Sequence, residues 1–145
     1  MEVSATEVIS GLWLGNIQDS KNKEFICRMD VIVNCTKNLP FLSEQTKNIR
    51  LPIDDNLEKI EVKNLYNFFP KIIPFIYDCL KKNLNVFVHC YAGKQRSVSV
   101  VVAYLMKYLD IPLNKAITLV RTKREIIFTP YTNFNAALLK FEKSL

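Results

Sequence analysis

Short apolar runs alternate with longer amphipathic segments along the whole chain. Val31–Cys35 and Val86–His89 are rich in β-branched residues and lack polar alternation, which is typical of strands buried on both faces. Clusters of Asp, Asn, Ser and Gly interrupt the apolar pattern and predict turns. The predicted strands are two short strands within Glu7–Leu14, broken at Ser10-Gly11, and the segments Val31–Cys35, Asn48–Ile53 and Val86–His89.

Five longer segments have the apolar content or spacing of helices. In the first, Asp19 or Ser20 is the expected N-cap. The second contains Pro70 and Pro74, and proline breaks a helix interior but suits a first turn. We therefore expect one helix to end near Phe69 and another to begin at Pro70. The helical segments are Asp19–Met29, Val62–Lys82, Arg96–Tyr108, Pro112–Arg124 and Thr132–Leu145.

The order of these elements predicts the fold class. Strands that alternate with helices favour an α/β fold, here a central, mostly parallel sheet of about five strands with helices on both faces. The chain has 145 residues, 49% of them hydrophobic, and contains no internal repeat or Gly/Ser-rich linker. Residues 1–145 are therefore expected to form one domain.

Composition and charge exclude several classes of protein. No apolar run approaches the roughly 18–20 residues of a membrane span. The start MEVSATEV lacks the apolar core of a signal peptide, so a reducing compartment, cytoplasmic or nuclear, is expected. The net charge of +6 is spread along the chain without a nucleic-acid-binding motif, so an anionic partner is favoured but no nucleic acid is expected.

The cysteines and the single histidine argue against a metal site. No pair of cysteines forms C-x-x-C, and a structural zinc site needs four ligands at characteristic spacing. Cys27, Cys35 and Cys79 are interpreted as small buried apolar residues.

The segment VFVHCYAGKQRSV, residues 86–98, carries the candidate chemistry. It runs from a predicted buried strand through a short loop with one glycine into a predicted apolar helix. Backbone N–H groups at such a helix N-terminus form an anion site. The same donors would stabilise a Cys90 thiolate, and the planar guanidinium of Arg96 matches two phosphoryl oxygens. A nucleophile, an amide cradle and a guanidinium at one site indicate phosphoryl transfer to sulfur.

Two different chemistries do not fit this loop. A Cys–His protease needs an imidazole that faces the thiol, but His89 is the strand neighbour of Cys90 and points to the opposite face. A nucleotide-binding P-loop needs G-x-x-x-x-G-K-[ST], but Gln95 follows Lys94, and Val88 occupies the position of the first glycine. His89 is interpreted instead as a residue that supports the loop by hydrogen bonding.

The sequence HCYAGKQRS resembles the H-C-x5-R-S loop of the cysteine-dependent dual-specificity protein phosphatases. The likeness extends to ISGLWLGN, VIVNCTKNLP, IRLPIDD, LYNFFPKIIPFIYDCL, VVVAYLMK and NFNAALLKFE, so it covers nearly the whole chain. The mid-chain cysteine differs from the low-molecular-weight phosphatases and arsenate reductases, which carry C-x5-R near the N-terminus. The resemblance implies a compact catalytic domain that removes phosphate from phosphotyrosine and phosphoserine or phosphothreonine in proteins, without a metal or cofactor.

The resemblance also implies a role for each matching residue. Cys90 would attack phosphorus and form a phosphocysteine, and Ser97 would donate a hydrogen bond to its sulfur. The family places its general acid three residues after a proline, which selects Asp55, three after Pro52, with the adjacent Asp54 as the second candidate. The phosphate oxygens would be bound by the Arg96 side chain and by the backbone amides of Tyr91, Ala92, Gly93, Lys94, Gln95 and Arg96.

The loop residues leave the substrate open. Lys94 resembles the basic loop residue of phosphoinositide phosphatases, although Tyr91 stands where those enzymes often have lysine. The sequence is also compatible with an RNA 5′-phosphatase of the same mechanism and with a phosphate-binding module that has no catalytic activity.

Two further segments are expected to support the loop. The run PYTNF, residues 130–134, replaces the family's usual Pro-Asn, and the segment Ile126–Thr132 can lie beside the pocket. Asn34 and Thr36 alternate with Cys35 at the end of the strand Val31–Cys35, and either side chain is expected to brace the loop, while Cys35 packs in the core.

Overall fold

The structure is a computed structural model and describes residues 3–145. Within this range the strands are β1 (Thr6–Ile9), β2 (Leu12–Gly15), β3 (Val31–Asn34), β4 (Lys47–Arg50) and β5 (Val86–His89). They form one sheet in the order β1-β2-β5-β3-β4. β1 is antiparallel to β2, and all other neighbours are parallel, which confirms the predicted mostly parallel sheet of about five strands.

Helices cover both faces of this sheet, as predicted. Because successive side chains on a strand point to opposite faces, Phe87 of β5 packs with Phe25 and Ile26 on one side, whereas Val86 and Val88 join the larger core on the other. The helices are α1 (Ile17–Ser20), α2 (Lys23–Ile26), α3 (Lys59–Lys81), α4 (Arg96–Tyr108), α5 (Leu113–Lys123) and α6 (Asn135–Ser144). None of the helices within residues 3–145 is both long and apolar enough to cross a membrane.

The single helix predicted over Asp19–Met29 was wrong. Two one-turn helices, α1 and α2, occupy the region instead, because two asparagines cap two separate starts. The Asn16 side chain accepts from Asp19 N at 3.0 Å, and Asp19 Oδ2 accepts from Asn16 N at 3.0 Å. The Asn22 side chain accepts from Phe25 N at 3.0 Å. Asp19 therefore completes a capping box three residues inside the turn and is not the N-cap.

The predicted break at Pro70 was also wrong, because α3 continues through both prolines. An interior proline costs about 3 kcal/mol through its missing N–H and its clash with the preceding turn. Pro70 is exposed and Pro74 half-buried, so carbonyls left without a donor lie toward the outer face. On the inner face, an apolar stripe runs past both prolines and packs against α4 and α6. The fully buried members of this stripe are Leu65, Phe69, Ile73 and Ile76.

The fourth strand is shorter than predicted. β4 ends at Arg50, and the Leu51 N–H makes one more bond to Asn34 O at 2.9 Å before the chain leaves the sheet. Leu51 and Ile53 remain buried as anchors of the following loop. In the parallel register of β3 and β5, Asn34 lies opposite His89. The loops that follow these two strands therefore meet at one edge of the sheet, where ligand sites of open α/β folds form.

Candidate active site

Residues 90–95 form the loop between β5 and α4, and its shape depends on Gly93. Gly93 has φ of +66°, a backbone conformation that L side chains rarely adopt. A Cβ at this position would lie 2.7 Å from Gly15 O and would also collide with the Arg124 guanidinium. The chain can therefore close this loop against β2 only with glycine at residue 93.

The loop turns its carbonyl oxygens outward, toward the surrounding elements. Gly93 O accepts from Arg124 Nε at 2.9 Å, and Lys94 O accepts from Phe128 N at 2.8 Å. Tyr91 O and Gln95 O accept from the backbone N–H groups of residues 17 and 99 at 2.9 Å. In a trans peptide unit the next N–H points away from the carbonyl, so the N–H groups of residues 92, 94, 95 and 96 face the inner side. This arrangement is an anion cradle.

Cys90 lies at the start of this loop and is buried. Its Sγ lies 3.1 Å from the Oγ of Ser97, which belongs to the first turn of α4 and is itself fully buried. When the sulfur is a thiolate it can only accept, so the Ser97 hydroxyl is then the donor. The structure thus brings together the predicted nucleophile and the predicted hydroxyl donor.

Arg96 begins α4 and reaches across the site to a different segment. Its Nη1 donates to Ile53 O at 2.9 Å, which ties the guanidinium to the loop that carries Asp54 and Asp55. Its Nε is buried and has no acceptor among residues 3–145. A buried N–H without a partner is costly, so this group favours an incoming oxyanion.

The two aspartates have different environments. The half-buried Asp54 forms an ion pair with Lys37, with 3.1 Å between Oδ2 and Nζ. The exposed Asp55 accepts at Oδ1 from the neutral side-chain amide of Asn133, at 3.0 Å. Asp54 lines the cleft in front of the loop, whereas Asp55 is exposed and is not among the residues that line the cleft.

That cleft has a volume of about 180 Å³. Tyr91 forms part of its rim and is 59% exposed. The residues that line the cleft are Thr36, Lys37, Asn38, Leu39, Asp54, Tyr91 and Arg96. Contributions from three separate segments explain why no single motif in the sequence outlines the cleft.

The segment Ile126–Thr132 lies beside the loop, as the sequence predicted. Gln95 Nε2 donates to Tyr131 O at 2.6 Å, and Asn133 N donates to Gln95 Oε1 at 3.0 Å. Because Asn133 also holds Asp55, these bonds link the loop at residues 90–95 to the second aspartate. Phe128 is buried at φ of +54°, a strained conformation for an aromatic residue that its bond to Lys94 O helps to hold.

The predicted supporting residues contribute in different ways. His89 is buried, and its Nδ1 lies 3.3 Å from Cys90 O, so it contacts the loop at its first residue. The side chain of Asn34 bonds within the segment that follows β3. Its Oδ1 accepts from Thr36 Oγ1 at 2.6 Å and its Nδ2 donates to Leu39 O at 2.8 Å, which shapes the opposite wall of the cleft. Cys35 is buried, and burial raises the pKa of its thiol.

Sequence reasoning missed Lys37, Arg124 and Asn133. Arg124 is 5% exposed, and burial lowers its pKa. Besides Gly93 O, it donates from Nη1 to Ser4 O at 2.7 Å. Lys37 had a signal, because it follows β3 and so lies at the same sheet edge as the loop after β5. The basic run around Arg124 and the polar run around Asn133 carry no local signal of these contacts.

The described geometry brings together the Cys90 thiol, the Ser97 hydroxyl, the Arg96 guanidinium and an inward-facing set of amides, with two adjacent aspartates in the neighbouring loop. Such a set can stabilise the equatorial oxygens of a phosphoryl group during in-line transfer to sulfur.

Comparison with known proteins agrees with this chemistry. The matching family model is described as dual specificity phosphatase, catalytic domain, and it covers residues 12–144. Human dual specificity protein phosphatase 9 is 41% identical over 144 residues, which are 96% of this chain and 36% of the relative. The chain therefore spans about a third of the length of that relative.

Two further likenesses cover nearly all of both proteins. A candidate tyrosine phosphatase, 123R, of Invertebrate iridescent virus 6 is 35% identical, over 97% of this chain and 93% of its own length. The crystal structure of human DUSP28 has a TM-score of 0.87 at 20% identity and covers 99% of this chain and 96% of that chain. The likeness to the human DUSP28 structure shows the fold.

Proposed function

This chain belongs to the dual specificity phosphatase family, and from this premise we propose that residues 1–145 form one catalytic domain that hydrolyses phosphotyrosine and phosphoserine or phosphothreonine in proteins. The observation that supports the proposal most directly is the position of Cys90 Sγ, 3.1 Å from Ser97 Oγ at the start of the amide cradle. A site built on a free thiol suits a reducing compartment such as the cytoplasm or the nucleus.

In the first step the Cys90 thiolate donates an electron pair to phosphorus. The bond between phosphorus and the ester oxygen breaks, and the leaving oxygen takes a proton from Asp55. The inward-facing amides and Arg96 bind the three equatorial oxygens, where negative charge is concentrated. The product alcohol leaves, and a phosphocysteine remains.

In the second step water attacks phosphorus from the side that the alcohol vacated. Asp55, now a carboxylate, takes a proton from this water. The sulfur–phosphorus bond breaks, and the electron pair returns to Cys90, where the Ser97 hydroxyl stabilises the thiolate. Orthophosphate is released, and the starting protonation states of Cys90 and Asp55 are restored.

Asp55 suits this role better than Asp54. A general acid has to carry a proton at the start of the reaction. Asp54 is paired with the Lys37 ammonium, which can only donate, whereas the partner of Asp55 is a neutral amide.

Cys27, the C-cap of α2, is exposed and not buried as the sequence predicted, so it provides a matched control for the proposed nucleophile. Cys27→Ser removes a free thiol outside the loop, and Cys90→Ser removes the proposed nucleophile. We expect Cys90→Ser to lower the kcat for p-nitrophenyl phosphate by at least about 10⁴-fold, while Cys27→Ser stays near the wild-type rate. Rapid quenching of the wild type should show one phosphoryl group on Cys90 by intact mass. Turnover by Cys90→Ser at the wild-type rate would exclude the proposal.

The substrate class needs its own comparison. The wild-type kcat/KM is measured on peptides with phosphotyrosine or phosphothreonine, on an inositol phospholipid in mixed micelles and on a 5′-triphosphate RNA. We expect the phosphopeptides to give the highest kcat/KM. A clear preference for the lipid or the RNA would assign the same chemistry to a different substrate.

A further inference from the structure

Lys37 connects three segments around the cleft. It follows β3, and its Nζ lies 3.1 Å from Asp54 Oδ2 and 2.7 Å from Glu61 Oε2. Glu61 belongs to the first turn of α3 and is almost fully buried, with its second oxygen bound by Asn64 Nδ2 at 3.2 Å. Through Lys37, the loop that carries the aspartates is therefore attached to the rigid start of α3.

The electrostatics of this triad keep Lys37 and Glu61 charged. Hydrogen bonding to Glu61, and then to Asp54, raises the pKa of Lys37. Hydrogen bonding to Lys37 lowers the pKa of Glu61 in turn. A nearly buried carboxylate needs such a partner, because burial of an unpaired charge is costly. Glu61 thus holds the Lys37 ammonium in place, and the same ammonium also forms an ion pair with Asp54.

Asp54 and Asp55 are adjacent, so one fixed carboxylate constrains the other. Their Cα atoms are separated by about 3.8 Å, the span of one trans peptide unit. Arg96 holds the preceding residue through Ile53 O, and Asn133 holds the Asp55 side chain from the far side. Between these two, the backbone of Asp54 hydrogen-bonds to Glu61, and the Lys37 contact anchors the Asp54 side chain to the same carboxylate.

From this arrangement we infer that Lys37 is a positioning residue that anchors Asp54 to Glu61 and thereby presents Asp55 to the leaving group. The inference rests on the proposed function and divides the tandem aspartates into one anchor and one proton donor. Half-exposed ion pairs contribute little to the stability of a fold. The effect of the triad is therefore expected in the geometry of proton transfer, where a displacement of about 1 Å can lower a rate by up to about 10²-fold.

Leaving-group chemistry separates this role from a general loss of activity. Phenyl phosphate has a basic leaving group that needs a proton, whereas dinitrophenyl phosphate departs readily as the anion. We expect Asp54→Asn and Lys37→Met to lower the kcat for phenyl phosphate about tenfold, with dinitrophenyl phosphate within about twofold of wild type. Lys37→Arg should restore most of the rate, because it keeps the charge that bridges the two carboxylates.

Two controls frame the experiment. Lys115→Met removes an exposed lysine of α5 outside the cleft and should behave as wild type on both substrates. Asp55→Asn sets the full size of the leaving-group effect. Because Glu61 loses its charged partner in Lys37→Met, thermal melts accompany the kinetics. If Lys37→Met unfolds, Asp54→Asn carries the test, because it leaves the Lys37–Glu61 contact intact.

The results that would contradict the role of Lys37 differ from those that would contradict the proposed function. Equal losses on both substrates, or a raised KM with unchanged kcat, would make Lys37 a substrate contact and overturn the inference alone. If Asp55→Asn shows no leaving-group effect, both the proton-donor assignment and the inference fail, while the Cys90→Ser comparison still decides whether the chain is a phosphatase.

Discussion

His89 occupies a buried position one residue before Cys90, the proposed nucleophile. Its ring stacks on Phe87, with 5.3 Å between the centroids, and its Nδ1 faces Cys90 O. Burial lowers the pKa of His89 to about 4, because the imidazolium would lose its hydration. The ring is therefore neutral near pH 7, and a tautomer that carries hydrogen on Nδ1 can donate to the loop.

This burial makes stability depend on pH. The unfolded histidine takes up a proton near pH 6.5, whereas the folded one does so only near pH 4. Between these values the unfolded state binds more protons, so the contribution of His89 is complete above pH 6.5 and falls as the pH drops. The expected loss is about 3 kcal/mol by pH 4.

His89→Gln should remove this component, since glutamine does not titrate. Urea unfolding of both proteins at several pH values between 4 and 7 gives the difference. A wild-type curve that stays parallel to that of His89→Gln over this range would contradict the prediction.

At the same scale, the sequence identified residues that lie close together in the chain. Cys90, Arg96 and Ser97 belong to one loop and helix start, so local spacing was enough to find them. Asn133 reaches Asp55 across 78 positions, and Lys37 reaches Glu61 across 24. Such contacts depend on how separate segments pack, which the spacing of residues in one segment does not encode.

Among the elements, α3 shows most clearly how packing overrides local preference. Its apolar stripe continues without a shift across Pro70 and Pro74, so a break would have exposed buried residues such as Phe69 and Ile73. Proline does destabilise a helix interior, but α3 does not end there because the packing of its apolar stripe outweighs that cost. The same reasoning explains the split of α1 and α2, where capping asparagines decided the boundary.

Pro70→Ala should stabilise the protein. Alanine restores an N–H for the Tyr66 carbonyl and removes the ring clash, and the exposed position leaves no cavity. Removing an interior proline avoids a cost of roughly 3 kcal/mol in the folded state. The alanine variant loses up to about 1 kcal/mol of this gain, because its unfolded chain has more conformational freedom. We expect a net gain of about 1–2 kcal/mol.

Thermal and urea unfolding measure this gain, with Lys71→Ala as the control at the neighbouring exposed position. A decrease in the stability of Pro70→Ala would show that α3 requires the proline geometry to pack against α4 and α6.

In the whole molecule, the alternation of strands and helices was enough to predict the sheet, because it is a property of the full chain and tolerates errors at each boundary. The cross-links between distant segments were not predictable in this way. Arg124 is the clearest case, since it follows α5 yet binds both the loop at residues 90–95 and the segment before β1.

Arg124→Met should therefore affect both stability and catalysis. It leaves Gly93 O and Ser4 O without their charged donor, at a cost of about 3 kcal/mol. Arg124→Lys should recover little, because a single ammonium cannot reproduce the planar fork. Urea unfolding and kcat for p-nitrophenyl phosphate measure the two effects, with the exposed Lys143→Met as control. A variant with wild-type values in both assays would contradict this role.

The Ser4 carbonyl accepts the hydrogen bond from Arg124 Nη1. Ser4 also donates to the Asp19 carboxylate, from its N–H at 2.8 Å and from its hydroxyl at 2.9 Å. Anyone who trims this domain or fuses a tag to it at residue 5 would release Arg124 from an acceptor 120 positions away. The loss would lower the stability of the fold and weaken the support of the loop at residues 90–95, although the change itself lies at the opposite end of the chain from Arg124.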